Sequence, residues 1–260
     1  MAIILGGDGV DVALTIGPNI ITDGLVFHID VASTDSIVTK GGVPLANGVE
    51  MDAIYGLIGD GQRVALSGTA GFPYYVAANG GTFYTGTYVE QNVTGVLSNP
   101  IQLGEEYTLE MFVKPKWWYS YGTAWFAIER TIGLYSPAYV NGLDIGGGAI
   151  GATDYPSFVI GNSGASGTGS DLFWHFAAVF SRITNTVSYY RNGKLLASLP
   201  DSLADLSGIR TNTLIRTAGA INYAWDYGDG FVGSMKAYNK TLSAEELFQS
   251  YTAMRTRYNI

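Results

Sequence analysis

Along most of this chain apolar residues recur at every second position, in short runs separated by glycine-rich turns. Period-two alternation puts one set of side chains on each face of an extended backbone, so each run reads as a β-strand. GLVFHID (24–30) is the first such run. In YTLEMFVKP (107–115) Leu109, Met111 and Val113 share a face, and Pro115 is expected to stop the strand because proline brings no amide hydrogen to a ladder. FWHFAAVF (173–180) sets Trp174, Phe176, Ala178 and Phe180 against Phe173, His175, Ala177 and Val179. Both faces are mostly apolar, which predicts a strand covered on both sides. VSYYRNGKLLASL (187–199) reads as two strands joined at Asn192-Gly193, a dipeptide that tolerates the positive φ angles of a tight hairpin. GDGFVGSMKAYNK (228–240) supplies a last strand.

The period then changes from two to that of a helix. Ser243 and Glu246 form an S-x-x-E capping box, and Leu242 and Leu247 occupy the staple positions on either side of the cap. Leu247, Tyr251, Met254 and Tyr258 line one face, which leaves Glu245, Gln249, Thr252, Arg255 and Arg257 for water. Glu245 and Glu246 near the start and Arg255 and Arg257 near the end complement the helix dipole. The spacing predicts a helix over 243–258. A helix of about 15 residues is marginal alone, so it is expected to dock on the strands. Many short strands, Gly-rich turns and one short C-terminal α-helix predict an all-β, two-sheet antiparallel sandwich.

Residues 1–22 stand apart from this pattern. VDVALTI alternates Val10, Val12, Leu14 and Ile16. The segment reads as an N-terminal arm that either adds a strand to a neighbouring subunit or closes an edge of its own sandwich. The domain proper is then 23–260, including the terminal helix.

Composition narrows the chemistry. With 260 residues, 35 Gly, 18 Tyr and only 14% charged side chains, the chain is long enough to bury a sizeable core as one large all-β domain. It has no Cys, which excludes disulfides, Cys-based zinc sites and a thiol nucleophile. No apolar run reaches the roughly 18 residues of a membrane span, so no membrane partner is expected. The start MAIILGGDGVDVAL has no Lys or Arg ahead of its short apolar stretch, which argues against a signal peptide and for a product made in the cytoplasm. The net charge of −8 is uneven: residues 1–110 hold two basic side chains, Lys40 and Arg63, against twelve acidic ones. That half repels phosphates, and the second half has no basic cluster with interleaved aromatics, so nucleic acid is not an expected partner.

Candidate catalytic residues are few. His28 and His175 lie inside strand patterns and read as packed residues. Glu110 alternates away from the core face of its strand, but no strand carries the facing carboxylates of a glycoside hydrolase. GGGAIG (146–151) has neither a capped helix after it nor a closing Lys, so it reads as a sheet connection rather than a phosphate loop. GNSGASGTGSD (161–171) reads as a surface loop. Binding features are denser. KPKWWYSYGTAWF (114–126) gathers Trp117, Trp118, Tyr119, Tyr121 and Trp125 just after a strand. Such rings either present flat faces to a sugar or a protein, or cover the end of the core. WDYGDG (225–230) offers Asp226 and Asp229 as oxygen ligands for calcium, with Asp144 and Asp154 as further candidates. Turn-forming Asp-Gly chemistry accounts for the same residues, and no cofactor is required.

GLVFHIDVAS, YTLEMFVKP, FWHFAAVFSRITNTVSYYRNGKLLAS and GFVGSMKAYNKTLSAEEL follow one another in an order that resembles laminin-G-like, concanavalin-A-like jelly-roll domains. The version most similar is that of tailed-bacteriophage virion proteins, where a Tyr-Asn-basic-x-Leu stretch runs into a Ser-x-Glu-Glu helix. The resemblance spans about residues 23–250. Ser234 departs from it, standing where such domains often carry an Asp beside the last strand, which argues against carrying over a calcium site. The resemblance implies a non-enzymatic virion structural protein. In that reading it decorates or cements a capsid through its arm and loops, contacts other virion proteins, and is homo-oligomeric on the particle. The alternative is a carbohydrate-binding adhesin or tail-associated host-recognition protein that uses the aromatic loop on host-surface glycans. Fibre adhesins usually add coiled-coil heptads or repeats, and their absence here favours decoration.

Overall fold

The computed structural model describes residues 20–58, 62–67, 73–78, 81–84, 94–102, 104–117, 123–128, 132–136, 143–147, 157–160, 172–200, 210–216 and 229–260. In chain order the strands are β1 (Leu25–Asp30), β2 (Ile37–Thr39), β3 (Met51–Tyr55), β4 (Arg63–Ser67), β5 (Tyr74–Val76), β6 (Thr82–Tyr84), β7 (Thr94–Gln102) and β8 (Glu106–Trp117). They continue as β9 (Thr123–Ile128), β10 (Ile132–Ser136), β11 (Leu143–Gly147), β12 (Ser157–Ile160), β13 (Trp174–Ser181), β14 (Thr186–Arg191), β15 (Lys194–Pro200), β16 (Arg210–Arg216) and β17 (Asp229–Tyr238). One α-helix, α1 (Ala244–Tyr258), follows.

The large sheet runs β15-β14-β13-β8-β17-β6-β5, and β1 shares the far edge of β17 with β6. A second sheet runs β16-β7-β4-β3-β2, and a third ladder runs β12-β11-β10-β9, with β9 beside β16. Every ladder is antiparallel. Alternation decides what lies between the layers. Phe27, Leu109, Met111, Phe176, Val187 and Met235 point inward from the large sheet and meet Met51, Ile54, Val64 and Leu97 of the second. The hairpin at Asn192-Gly193 forms as its dipeptide predicts, with φ of 51° and 73° at the two residues.

The opposite face of the large sheet is also covered. Helix α1 lies across it and buries Leu247, Ser250, Met254 and Tyr258. Its start has the predicted capping box: the Glu246 amide donates to Ser243 Oγ at 3.2 Å, and the Ser243 amide donates to Glu246 Oε2 at 2.8 Å. Leu242 and Leu247 pack together with Ala177, Val179, Tyr190 and Tyr238. Ile21 and Leu25 border the same cluster, so the residues just ahead of β1 lie against the domain. The two-sided apolar character of FWHFAAVF thus has a physical origin: one face meets the second sheet and the other meets the helix.

Four expectations need correction. Strand β8 does not stop at Pro115 but runs to Trp117. It does so through an irregularity in which Gly230 pairs with Pro115 and Asp229 with Trp117, so the register shifts where proline has no hydrogen to give. Tyr251 is only partly buried, and Ser250 takes the central place beneath the helix because the sheet below it is polar at that point. Arg257 is not left to water: its Nη1 pairs with Asp30 Oδ2 at 2.9 Å. Gly146 and Gly147 of GGGAIG end strand β11 rather than forming a connection.

Candidate functional site

Two places concentrate polar and aromatic chemistry. The first is the end of the large sheet where β8 finishes, β17 begins and β13 begins. Each strand arrives there for its own reason. Alternation carries β8 past its proline, the Gly230 irregularity lets β17 start opposite Trp117, and the register of β13 sets Trp174 against Val113. Asp229 is the direct ladder neighbour of Trp117, so the backbone brings one residue of each of the two candidate motifs side by side. Trp117 stands in a strand and not in a loop, which corrects its expected position. Trp118, Tyr119, Tyr121, Asp226 and Asp154 lie outside the described residues, as does 161–171. Trp125 falls in β9 and Asp144 in β11.

Two pairs at this end are not written in any local sequence pattern. The Arg191 guanidinium carbon lies 5.7 Å from the centroid of the Trp174 ring, and Lys114 Nζ lies 6.0 Å from that of Phe231. Trp174 also meets Phe176 edge-on, with centroids 5.5 Å apart. Cations over aromatic faces are attracted by the ring quadrupole. Trp174 packs against the inter-sheet core and Phe231 against the cluster under α1, so the two pairs lie on opposite faces of the sheet. The Asn-Gly hairpin was the one available signal, because it fixes β14 beside the return strand and so places Arg191. That β13 lies on its other side is not written locally.

The second place is a seam beneath α1. Glu110, Lys236, His175 and Ser250 are buried there. Lys236 Nζ donates to Glu110 Oε1 at 2.6 Å and to Ser250 Oγ at 2.8 Å, and Ser250 Oγ donates to the same carboxylate oxygen at 2.6 Å. His175 Nε2 approaches that oxygen at 3.4 Å, too far for a well-made hydrogen bond, while its ring lies against Phe112 with centroids 4.7 Å apart. Burial works against the charged Glu110, but the Lys236 ammonium and the His175 ring outweigh it and hold the carboxyl well below the usual carboxylate range. His28, also buried, has Nε2 3.4 Å from Ser234 Oγ. Burial and the Lys236 charge push its imidazole down to about 3, so it is neutral at ordinary pH. Burial raises the Tyr238 and Tyr258 hydroxyls above their ordinary range.

The seam resembles a catalytic cluster only in its composition. Its serine, lysine and carboxylate are sealed from solvent, so no substrate reaches them. Glu110 therefore points away from the inter-sheet core, as its strand predicts, yet toward the helix rather than toward water. Among the described residues no three His, Asp or Glu side chains gather as metal ligands. Asp226 and the Asp229 side chain, the sequence's calcium candidates, lie outside the described residues.

Two facing antiparallel sheets closed by a terminal helix define the class as a concanavalin-A-like jelly-roll sandwich. No family model matches the chain, and no curated protein matches its sequence. Solved structures do match. The binding domain of botulinum neurotoxin DC in complex with SialylT aligns with a TM-score of 0.61 at 10% identity, covering 90% of this chain and 52% of that one. The ligand-binding domain of botulinum neurotoxin serotype D in complex with N-acetylneuraminic acid aligns with a TM-score of 0.58 at 11% identity, covering 88% and 51%. Domain 4 of AbnA, an extracellular arabinanase from Geobacillus stearothermophilus, in complex with arabinotriose, aligns with a TM-score of 0.58 at 15% identity, covering 87% and 98%. The chain thus spans about half the length of the neurotoxin domains and nearly all of the arabinanase domain. At these identities the likeness is one of fold.

Proposed function

We propose that this chain is a non-catalytic glycan-binding domain whose site is the end of the large sheet marked by Trp117, Asp229, Trp174 and Arg191. The observation that carries the reading is the ladder pairing of Trp117 with Asp229, which makes an aromatic residue and an acidic residue backbone neighbours at this end of the sheet. Sugars use that combination: a pyranose or furanose face stacks on a ring while its hydroxyls are held by fixed polar groups. The sugar-bound neighbours of the same fold support it, since each is in complex with a saccharide or sialyl ligand. Of the two functions considered from sequence, glycan recognition is therefore preferred to capsid decoration. Placement on a virus particle rests on the resemblance of the Tyr-Asn-Lys-x-Leu and Ser-x-Glu-Glu ending alone, and glycan binding does not depend on it.

The test is titration of the whole chain against neutral and acidic oligosaccharides, followed by Trp117→Ala and Asp229→Asn. Loss of a stacking ring, or of a hydrogen bond to a charged acceptor, costs about 1.5 kcal/mol, so each variant should weaken binding roughly tenfold with its melting temperature unchanged. Binding that survives both substitutions in folded variants moves the site elsewhere. A chain that binds no member of the panel overturns the reading. The same titration run with chelator asks whether Asp229 acts through calcium: loss of affinity on chelation, restored by calcium alone, identifies a metal-bridged sugar.

A further inference from the structure

The chain contains two histidines, and both are buried between helix α1 and the outer face of the large sheet. No other side chain of this Cys-free protein ordinarily changes charge between pH 5 and 7. Sensitivity to mild acid is thereby gathered into one interface. The groups facing the two rings come from every element packed there. His28 of β1 sees Asp30 on its own strand, Lys236 and Ser234 of β17, Glu110 of β8 and Arg257 of α1. His175 of β13 sees Glu110 and Phe112 of β8 and Tyr251 of α1. Lys236 and Arg257 balance Glu110 and Asp30 in two ion pairs. A proton added to His28 would leave an unpaired positive charge beside Lys236 where little water can reach it.

We propose that α1 is an acid-sensitive latch: as pH falls below the range in which a free imidazole protonates, Ala244–Tyr258 leaves the outer face of the large sheet while the sandwich beneath stays folded. The division between what opens and what holds follows from the two faces of the sheet. Among the described residues the buried histidines, carboxylates and lysine are His28, Asp30, Glu110, His175 and Lys236, all on the helix side of the sheet, so acid acts there rather than between the sheets. The linkage has a definite sign. The docked state keeps His28 neutral down to about pH 3, whereas a released imidazole takes up its proton near 6.5. Docking is therefore at full strength above about pH 6.5 and weakens progressively toward pH 3, by about tenfold per pH unit for one histidine. Glu110, held below its ordinary range, pushes in the same direction once pH drops past 4.5.

Hydrogen exchange of the full chain, corrected for the pH dependence of the intrinsic rate, reads this directly. Amides of 247–258 should lose protection by about tenfold per pH unit as pH falls from about 6.5 to 4.5, while those of 109–113 and 176–180 keep theirs. Helix protection that stays flat, or that falls in step with the strands, overturns the proposal. His28→Gln should make the helix profile shallower by about tenfold per unit, and an unchanged slope in a folded variant also overturns it. Should that variant fail to fold, NMR of the two imidazoles in the native chain decides. A His28 ring that titrates near pH 6.5 while the helix amides remain protected is incompatible with a latch, and a ring that stays neutral until they open supports it.

Discussion

Lys236 shows how a single side chain can be costly to remove without having made the fold more stable than an apolar one would. Its ammonium is desolvated, and its worth lies in matching Glu110, which is equally deprived of water. Lys236→Met should therefore cost about 3–5 kcal/mol in a denaturant titration, because it strands a buried carboxylate. The double change with Glu110→Leu should recover most of that loss, since a well-packed apolar pair avoids both desolvation penalties. Recovery of less than about 1 kcal/mol would mean that Ser250 and His175 depend on the charges for their positions. Gly233 makes the complementary point about space. A Cβ there would run into the Tyr258 ring and hydroxyl, so Gly233→Ala should destabilise by roughly 1–3 kcal/mol, the cost of overpacking.

Helix α1 was the most legible element and also the one most altered by context. Its cap, staple and length were readable because they rest on contacts within a few residues of one another. The face it buries was readable only in outline: Leu247, Met254 and Tyr258 are buried as expected, but the stripe is centred on Ser250. Helical period alone ranks Tyr251 above a serine. What reverses the order is Lys236 on β17 and Glu110 on β8, the latter 140 residues away in sequence, which require a hydroxyl above them. The same logic explains Arg257, a residue for water by period and a partner of Asp30 by tertiary placement. Leu247→Ala should cost about 2–5 kcal/mol, as truncation of a buried leucine does, and Ser243→Ala about 1 kcal/mol through loss of the cap. Chemical denaturation of both variants checks the ranking, and a Leu247→Ala effect under 0.5 kcal/mol would mean that the helix is not held by its apolar face.

At the scale of the whole molecule, alternation and turn chemistry suffice to anticipate the sandwich, because strands β1, β8, β13, β14 and β17 each carry their own period. The candidate binding end is a different matter. Trp117 and Asp229 become neighbours through a register shift that no local pattern encodes, and Trp174 meets Arg191 through strand order. Each motif was visible separately, and their meeting was not. Strand order has a further consequence, for synthesis. Strand β17 lies inside the large sheet, paired on one side with β8 and on the other with β1 and β6, yet it follows every other described strand in chain order. Until it arrives, β1 lacks its partner and the large sheet remains in two pieces. Pairing across so much of the chain is slow, because loop closure must precede any gain from contact. A nascent chain arrested before Asp229 should thus stay protease-sensitive throughout, and protection of β1 should appear together with that of β8 rather than ahead of it. Chaperones would meet this domain as a set of exposed strand edges until β17 has emerged.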